Sequence, residues 1–179
     1  MLLPFATAPP RSRVLEIGCG AGEASLVAAR AGAWVVATDL NRAALEWVRD
    51  RAAEEHLRVD VVRTDLAGGL GRFDVVLANP PYLPTSGELP GETPGDRLAL
   101  DGGPDGARVT TRLLDVLGDH LTDSGRGYLL VASVQSADAL RAALGAWHDG
   151  GGVSRTVAER TVGGEHLEVL ELSRNGRER

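Results

Sequence analysis

Asn79-Pro80-Pro81-Tyr82 is the stretch of this chain whose residue types point most directly to chemistry. Pro81 keeps Pro80 out of the helical region and Pro80 does the same for Asn79, so the segment is extended and the Pro80 carbonyl is fixed. An Asn side-chain oxygen beside a fixed carbonyl makes two acceptors for the hydrogens of a planar NH2 group, or for the one hydrogen of a partly substituted nitrogen. The Tyr82 ring can lie against the flat group carrying that nitrogen. An amide or exocyclic nitrogen is a poor nucleophile because its lone pair is delocalised, and it must be aimed at its electrophile. As it gives up electron density its hydrogens become more acidic, so bonds to Asn79 and Pro80 strengthen toward the transition state. Catalysis is expected from Asn79, Pro80 and Tyr82, and acceptor binding from Asn79, Pro80, Pro81 and Tyr82, with alignment meeting much of the remaining barrier. The competing reading is a Pro-Pro turn that closes a strand.

Upstream lies Glu16-x-Gly18-x-Gly20-x-Gly22, between an apolar run and an Ala-rich one. Glycine lets a backbone turn tightly and approach a ligand with no Cβ in the way. The alternating glycines differ from the G-x-G-x-x-G of pyrophosphate binders, and the acid ahead of them suits a ligand with a cationic ammonium and sulfonium. Asp39, at the end of the next apolar run, is placed to accept hydrogen bonds from ribose hydroxyls. Asp65 stands at the end of a third such run, where it either meets the ligand's base or caps a turn before Ala67-Gly68-Gly69. Cys19 reads as a small packing residue, since no His is placed to activate its thiol.

The elements that must carry these residues alternate between short apolar and amphipathic runs, the pattern of helices on a mainly parallel sheet. Strands are expected over residues 14–17, 34–38, 57–63, 73–78 and 127–133, and helices over 23–30, 42–55, 109–121 and 136–147, the last capped by Ser136 or Gln135. Between Pro80 and Gly106 periodicity breaks down, as in a functional loop. Residues 154–162 and 166–172 flank Gly163-Gly164 and read as a hairpin at one sheet edge. The fold expected is α/β, a mostly parallel seven-stranded sheet with helices on both faces and a C-terminal antiparallel pair. It forms one domain over residues 1–179, with a short segment 1–12, a substrate loop 83–108 and a polar tail 173–179.

With 179 residues, 43% hydrophobic and 25% charged, the chain has the balance of one globular core. Its net charge of −6 disfavours a grip on a phosphate backbone. All its cations are Arg, a compositional trait with no mechanism attached. One Cys excludes an internal disulfide, and the four His show no ligand spacing, so no metal is expected. No run is long enough for a membrane span and none reads as a secretory signal, so a cytoplasmic location is expected.

Together the E-x-G-x-G-x-G loop, Asp39, Asp65, N-P-P-Y and Leu100-Asp101-Gly102-Gly103-x-x-Gly106 resemble the release-factor glutamine methyltransferases over residues 14–172. The compact length and the pattern Arg160-x-x-x-Gly164-Glu165-x-Leu167-x-Val169-Leu170 look most like the short archaeal and eukaryotic branch. The resemblance implies a Rossmann-like class I methyltransferase that uses S-adenosyl-L-methionine. It places the cofactor against Glu16, Gly18, Cys19, Gly20, Gly22, Asp39, Leu40, Asp65, Leu66 and Asn79, with Asp65 at the adenine amino group. It implies that Asn79 and the Pro80 carbonyl hold the glutamine amide of a Gly-Gly-Gln tripeptide in a release factor, giving N5-methylglutamine, although some short-branch members modify lysine. It also implies a segment ahead of the first strand, of which Met1-Leu2-Leu3 reads as a remnant, and a small zinc-containing activator adding a strand at residues 57–61.

Other readings stay open: a small-molecule N-methyltransferase of secondary metabolism, a methyltransferase for adenine N6 or guanine N2, and a scaffold that only binds. The acidic charge and the lack of a target-recognition region weigh against nucleic acid. Acceptor specificity is expected in residues 83–108, where Glu88, Glu92, Asp96, Arg97, Asp101 and Asp105 either receive the substrate or are simply solvated.

Overall fold

A computed structural model describes residues 1–85 and 93–174. Seven strands form one sheet in the order β3-β2-β1-β4-β5-β7-β6. The strands are β1 (Arg13–Ile17), β2 (Trp34–Asp39), β3 (Val59–Arg63), β4 (Phe73–Ala78), β5 (Leu121–Ala132), β6 (Gly152–Val162) and β7 (Glu165–Arg174). The first five run parallel, whereas β7 is antiparallel to both β5 and β6. The helices are α1 (Leu3–Ala6), α2 (Glu23–Arg30), α3 (Arg42–Glu54), α4 (Pro94–Leu100), α5 (Arg108–Leu117) and α6 (Ala137–Asp149). Among the described residues no helix is long and apolar enough to cross a membrane.

Successive residues of the central strands feed opposite layers, as strand geometry requires. Val14, Val35 and Leu77 pack under the small residues Ala6, Ala24, Ala28 and Ala29 of α1 and α2. Leu15, Ile17, Val76, Ala78 and Leu129 pack under Leu113, Leu114 and Leu117 of α5 and Trp147 of α6. β1 and β4 are therefore buried on both faces, which is why they read as continuous apolar runs. Register then sets the site: Ile17 pairs with Thr38 on one side and Ala78 on the other. Gly18, Asp39 and Asn79, the next residues of the three strands, consequently leave the sheet at one level along its carboxyl edge.

Three elements differ from the sequence expectation. α4 stands inside the stretch read as an aperiodic loop; its seven residues are too few to display a period. β5 starts at Leu121, which pairs with Phe73 ahead of an irregularity, and its exposed Asp123 and Ser124 mask the strand pattern. The helix read over 109–121 accordingly stops at Leu117 and finishes in a 3-10 turn, Gly118–His120. The hairpin forms as expected, with Gly163 and Gly164 both at positive φ and Val162 paired to Glu165.

Leu77 is fully buried on the central strand that leads into Asn79. Leu77→Ala should lower unfolding free energy by about 2–5 kcal/mol, measured by urea denaturation.

Candidate active site

The glycine turn after β1 uses its glycines for two different reasons. Gly18, Gly20 and Gly22 all have positive φ, at 68°, 50° and 70°. A Cβ on Gly22 would stand 2.4 Å from Val48 of α3, so that position is needed for packing. A Cβ on Gly18 or Gly20 would meet nothing within 4 Å, so these two border open space that a ligand can enter. The Cys19 amide donates to the Thr38 carbonyl at 2.8 Å, which ties the turn to β2. The Cys19 side chain is buried, and burial, helped by Glu16 and Asp39, pushes its thiol up to about 12. It is a packing group, as its position between glycines suggested.

Two acids fix this turn. Asp39 accepts the Gly20 amide at 2.9 Å through one oxygen and the Asn41 amide at 2.8 Å through the other. Each carboxylate oxygen keeps a lone pair for a further donor. Glu16 is only 8% exposed, and one of its oxygens accepts the Ser25 amide at 2.8 Å and the Ser25 hydroxyl at 2.5 Å. Gly22, at the start of α2, has no side chain to cap the helix, so Glu16 supplies that acceptor from β1. Burial pushes its carboxyl up to about 7, opposed by the two Ser25 bonds and assisted by Asp39 and Glu23.

At the end of β3 the Asp65 carbonyl accepts the Gly68 amide, so the turn closes on the backbone rather than on the Asp65 side chain. That carboxylate is half exposed and pairs with Arg112 of α5 at 2.6 Å, a contact that sequence alone did not reveal. Leu66 has φ of 53° and packs against the core, while its carbonyl accepts the Thr38 hydroxyl at 2.8 Å. Leu40 is exposed beside Asp39, and its carbonyl accepts from Arg63 at 3.0 Å.

Beyond β4, Asn79 is exposed and its side chain makes no hydrogen bond among the described residues. Pro80 is buried, yet no backbone amide donates to its carbonyl among those residues. Tyr82 is partly buried, and burial with nearby Glu165 raises its phenol above the ordinary value. Leu83 forms a parallel bridge to Asp101, with its amide donating to Leu100 at 3.1 Å and its carbonyl accepting from Gly102 at 2.9 Å. Thr85 adds an amide bond to the Gly103 carbonyl at 2.9 Å.

Asp101 and Asp105, read in sequence as either receiving a substrate or solvated, are engaged in holding the loop together. Asp101 accepts the Thr85 hydroxyl and the Gly103 amide and pairs with Arg108 at 3.2 Å. The Thr85 and Gly103 bonds, chiefly, hold its carboxyl below the usual range. Asp105 accepts the Ala107 amide at 3.0 Å at the start of α5. α4 carries Asp96 and Arg97 and brings Gly95 against Asn41. Glu88 and Glu92 lie outside the described residues.

The fold is that of the Rossmann-like methyltransferases: a seven-stranded sheet closed by an antiparallel hairpin, here with a glycine turn open toward a ligand. Comparison with known proteins agrees. Residues 1–88 match the family described as methyltransferase small domain. A Methanocaldococcus jannaschii relative bearing a protein N5-glutamine methyltransferase name is 35% identical over 123 residues, 68% of this chain and 62% of that one. The release factor glutamine methyltransferase of Deinococcus radiodurans is 37% identical over 140 residues, 75% of this chain and 50% of that one. The chain thus spans roughly half of these curated relatives. Among solved structures, the E. cuniculi Mtq2–Trm112 complex, described as responsible for methylation of the eRF1 translation termination factor, matches with TM-score 0.69 and 27% identity. That match covers 93% of this chain and 87% of the matched one.

Glu16 gives a pH test. Its carboxyl rises from 4.5 to about 7 on folding, so the fold favours the protonated form. Stability is therefore lost as pH climbs between those values, and the full cost of an ionised buried carboxylate is present above about 7. Glu16→Gln keeps an acceptor for Ser25 without the charge. The variant should match the parent near pH 4.5 and exceed it by on the order of 2–3 kcal/mol at pH 8. Urea denaturation at both pH values checks this; a gap that does not widen with pH contradicts it.

Proposed function

We propose that this chain is an S-adenosyl-L-methionine-dependent N-methyltransferase whose acceptor is a glutamine side-chain amide in a protein, of the Gly-Gly-Gln type found in release factors. The observation that carries this reading is the pair of oxygens after β4. The exposed Asn79 amide and the Pro80 carbonyl lack hydrogen-bond partners among the described residues, and they adjoin the glycine turn through the register of β1 with β4. The names of the homologues support the same acceptor class.

The residues present fit the cofactor. Open space at Gly18 and Gly20 admits it, Asp39 retains acceptor capacity for ribose hydroxyls, and Asp65 retains an oxygen for an exocyclic amino group. Leu40 and Leu66, which follow β2 and β3, would supply apolar contact to the base. Glu16 acts on the cationic end through the turn that it braces, and Cys19 and Gly22 contribute backbone and packing. The cofactor supplies an electrophilic methyl on a sulfonium.

Asn79 Oδ1 and the Pro80 oxygen each take one hydrogen of the acceptor amide, which fixes the plane of the group and turns its nitrogen toward the methyl. Both bonds tighten as the nitrogen becomes positive, and the surplus proton passes to solvent water after transfer, so no strong base is required. Tyr82 lies against the amide plane, and Pro81 keeps the segment extended. Acceptor specificity resides in the segment between Tyr82 and α5 of a single domain spanning 1–179, and the chain acts in the cytoplasm. Among the described residues β3 is an edge strand with an unpaired side, suited to a small activator that adds a strand there.

Incubation with cofactor and a Gly-Gly-Gln peptide should add one methyl to the glutamine nitrogen, located by fragmentation mass spectrometry. Asn79→Ala should lower kcat by about 10²–10³ and leave cofactor affinity, measured by calorimetry, nearly unchanged. Loss of cofactor binding in that variant, or a methyl found on another residue of the peptide, would contradict the assignment.

A further inference from the structure

Gln135 follows β5, outside the site described above, and only 5% of it is exposed. Sequence offered Ser136 or Gln135 as the helix cap, and Ser136 fills that role, accepting the Ala139 amide at 3.2 Å. The Gln135 amide is fully used elsewhere. Its oxygen accepts the Ala132 amide at 2.8 Å, and its nitrogen donates to the Gly106 carbonyl at 3.0 Å and the Thr110 hydroxyl at 2.8 Å. A buried amide is tolerated only when its bonds are made, and a core needing bulk alone is served by an apolar side chain. Directional bonds at this point hold something in register.

What they hold is the 101–106 segment. Gly106 has φ of 72°, and a Cβ there would stand 2.5 Å from the Tyr82 carbonyl and 3.3 Å from Pro84. A Cβ on Gly102 would in turn stand 2.5 Å from the Gly106 carbonyl, and the Gly102 amide donates to Leu83. A second strut joins the Ser136 amide to the Asp105 carbonyl at 2.9 Å. The end of β5 thus supports the loop, and the loop supports the backbone from Tyr82 to Thr85. Because Pro80 and Pro81 have fixed φ, displacement of Tyr82 carries back to the Pro80 carbonyl and Asn79.

We propose that Gln135 is a positioning residue for the acceptor site, pinning Gly106 against Tyr82 so that the Asn79 and Pro80 oxygens keep their geometry. The inference rests on the role proposed above for those two oxygens. It touches neither cofactor nor acceptor itself. Removing the brace lets the oxygens drift by a fraction of an ångström to an ångström, enough to lower turnover by about 10–100-fold while the glycine turn still binds cofactor.

The test compares the full chain with its Gln135→Leu variant in two measurements. Amide hydrogen exchange followed by NMR should rise about tenfold or more at Leu83, Thr85 and Gly102, with the amides of β2 unchanged. With the Gly-Gly-Gln peptide, kcat should fall about 10–100-fold with cofactor affinity held within a few-fold. Val35→Ala, a core truncation away from this segment, should lower thermal stability without lowering kcat. Unchanged exchange at the three amides, equal loosening of β2, or an unchanged kcat overturns the proposal. If the parent chain leaves the peptide unmethylated, the glutamine assignment fails and the exchange result alone decides the brace. If Gln135→Leu does not fold, Gly106→Ala pushes the same contact from the other side; unchanged exchange at Leu83 and Thr85 in that variant overturns the proposal equally.

Discussion

The parallel register of β1 between β2 and β4 is the constraint on which the rest of the site depends. Because Ile17 stands level with Thr38 and Ala78, a glycine turn, a carboxylate and an asparagine emerge side by side from three separate stretches of chain. A slip of one residue in either pairing would swap side chains between the Ala-lined layer of α1 and α2 and the Leu-lined layer of α5, so core packing enforces the register. Val14, Leu77, Leu15 and Val76 are all buried, which makes that penalty large. Site geometry is in this sense a by-product of burying both faces of the central strands.

Most polar groups near the site serve backbone rather than ligand. Glu16 caps α2 through Ser25, Asp39 holds Gly20, Asp101 gathers Thr85 and Gly103, and Gln135 holds Gly106. Apart from the local Asp101–Gly103 bond, these contacts join residues well separated in sequence and fix backbone that glycine alone would leave loose. The exposed Asn79, unbonded among the described residues, stands out against this background. A polar side chain left without internal partners, on a backbone braced from both sides, suits an external hydrogen-bond donor.

Strands buried on both faces and the Gly163-Gly164 hairpin were readable in the sequence because their patterns are local. So were the positions of Asp39 at the end of β2 and Asn79 directly after β4. What escaped was set by contacts between distant segments. α4 is too short to show a period, the start of β5 hides behind polar residues, and the Asp65–Arg112 pair joins β3 to α5. Asp101 read as a substrate-facing or solvated acid, and Gln135 as one of two cap candidates beside Ser136, because their partners, Thr85 and Gly106, are identified only once the chain is folded.

The most direct measurement is a crystal structure with S-adenosylhomocysteine and a Gly-Gly-Gln peptide bound together. The expected result places the sulfur beside the turn at Gly18 and Gly20, with the glutamine nitrogen held by Asn79 Oδ1 and the Pro80 carbonyl. A methyl built on that sulfur should stand about 3–3.5 Å from the nitrogen. A sulfur directed away from residues 79–82, or an acceptor amide held by other groups, would contradict the assignment of this site.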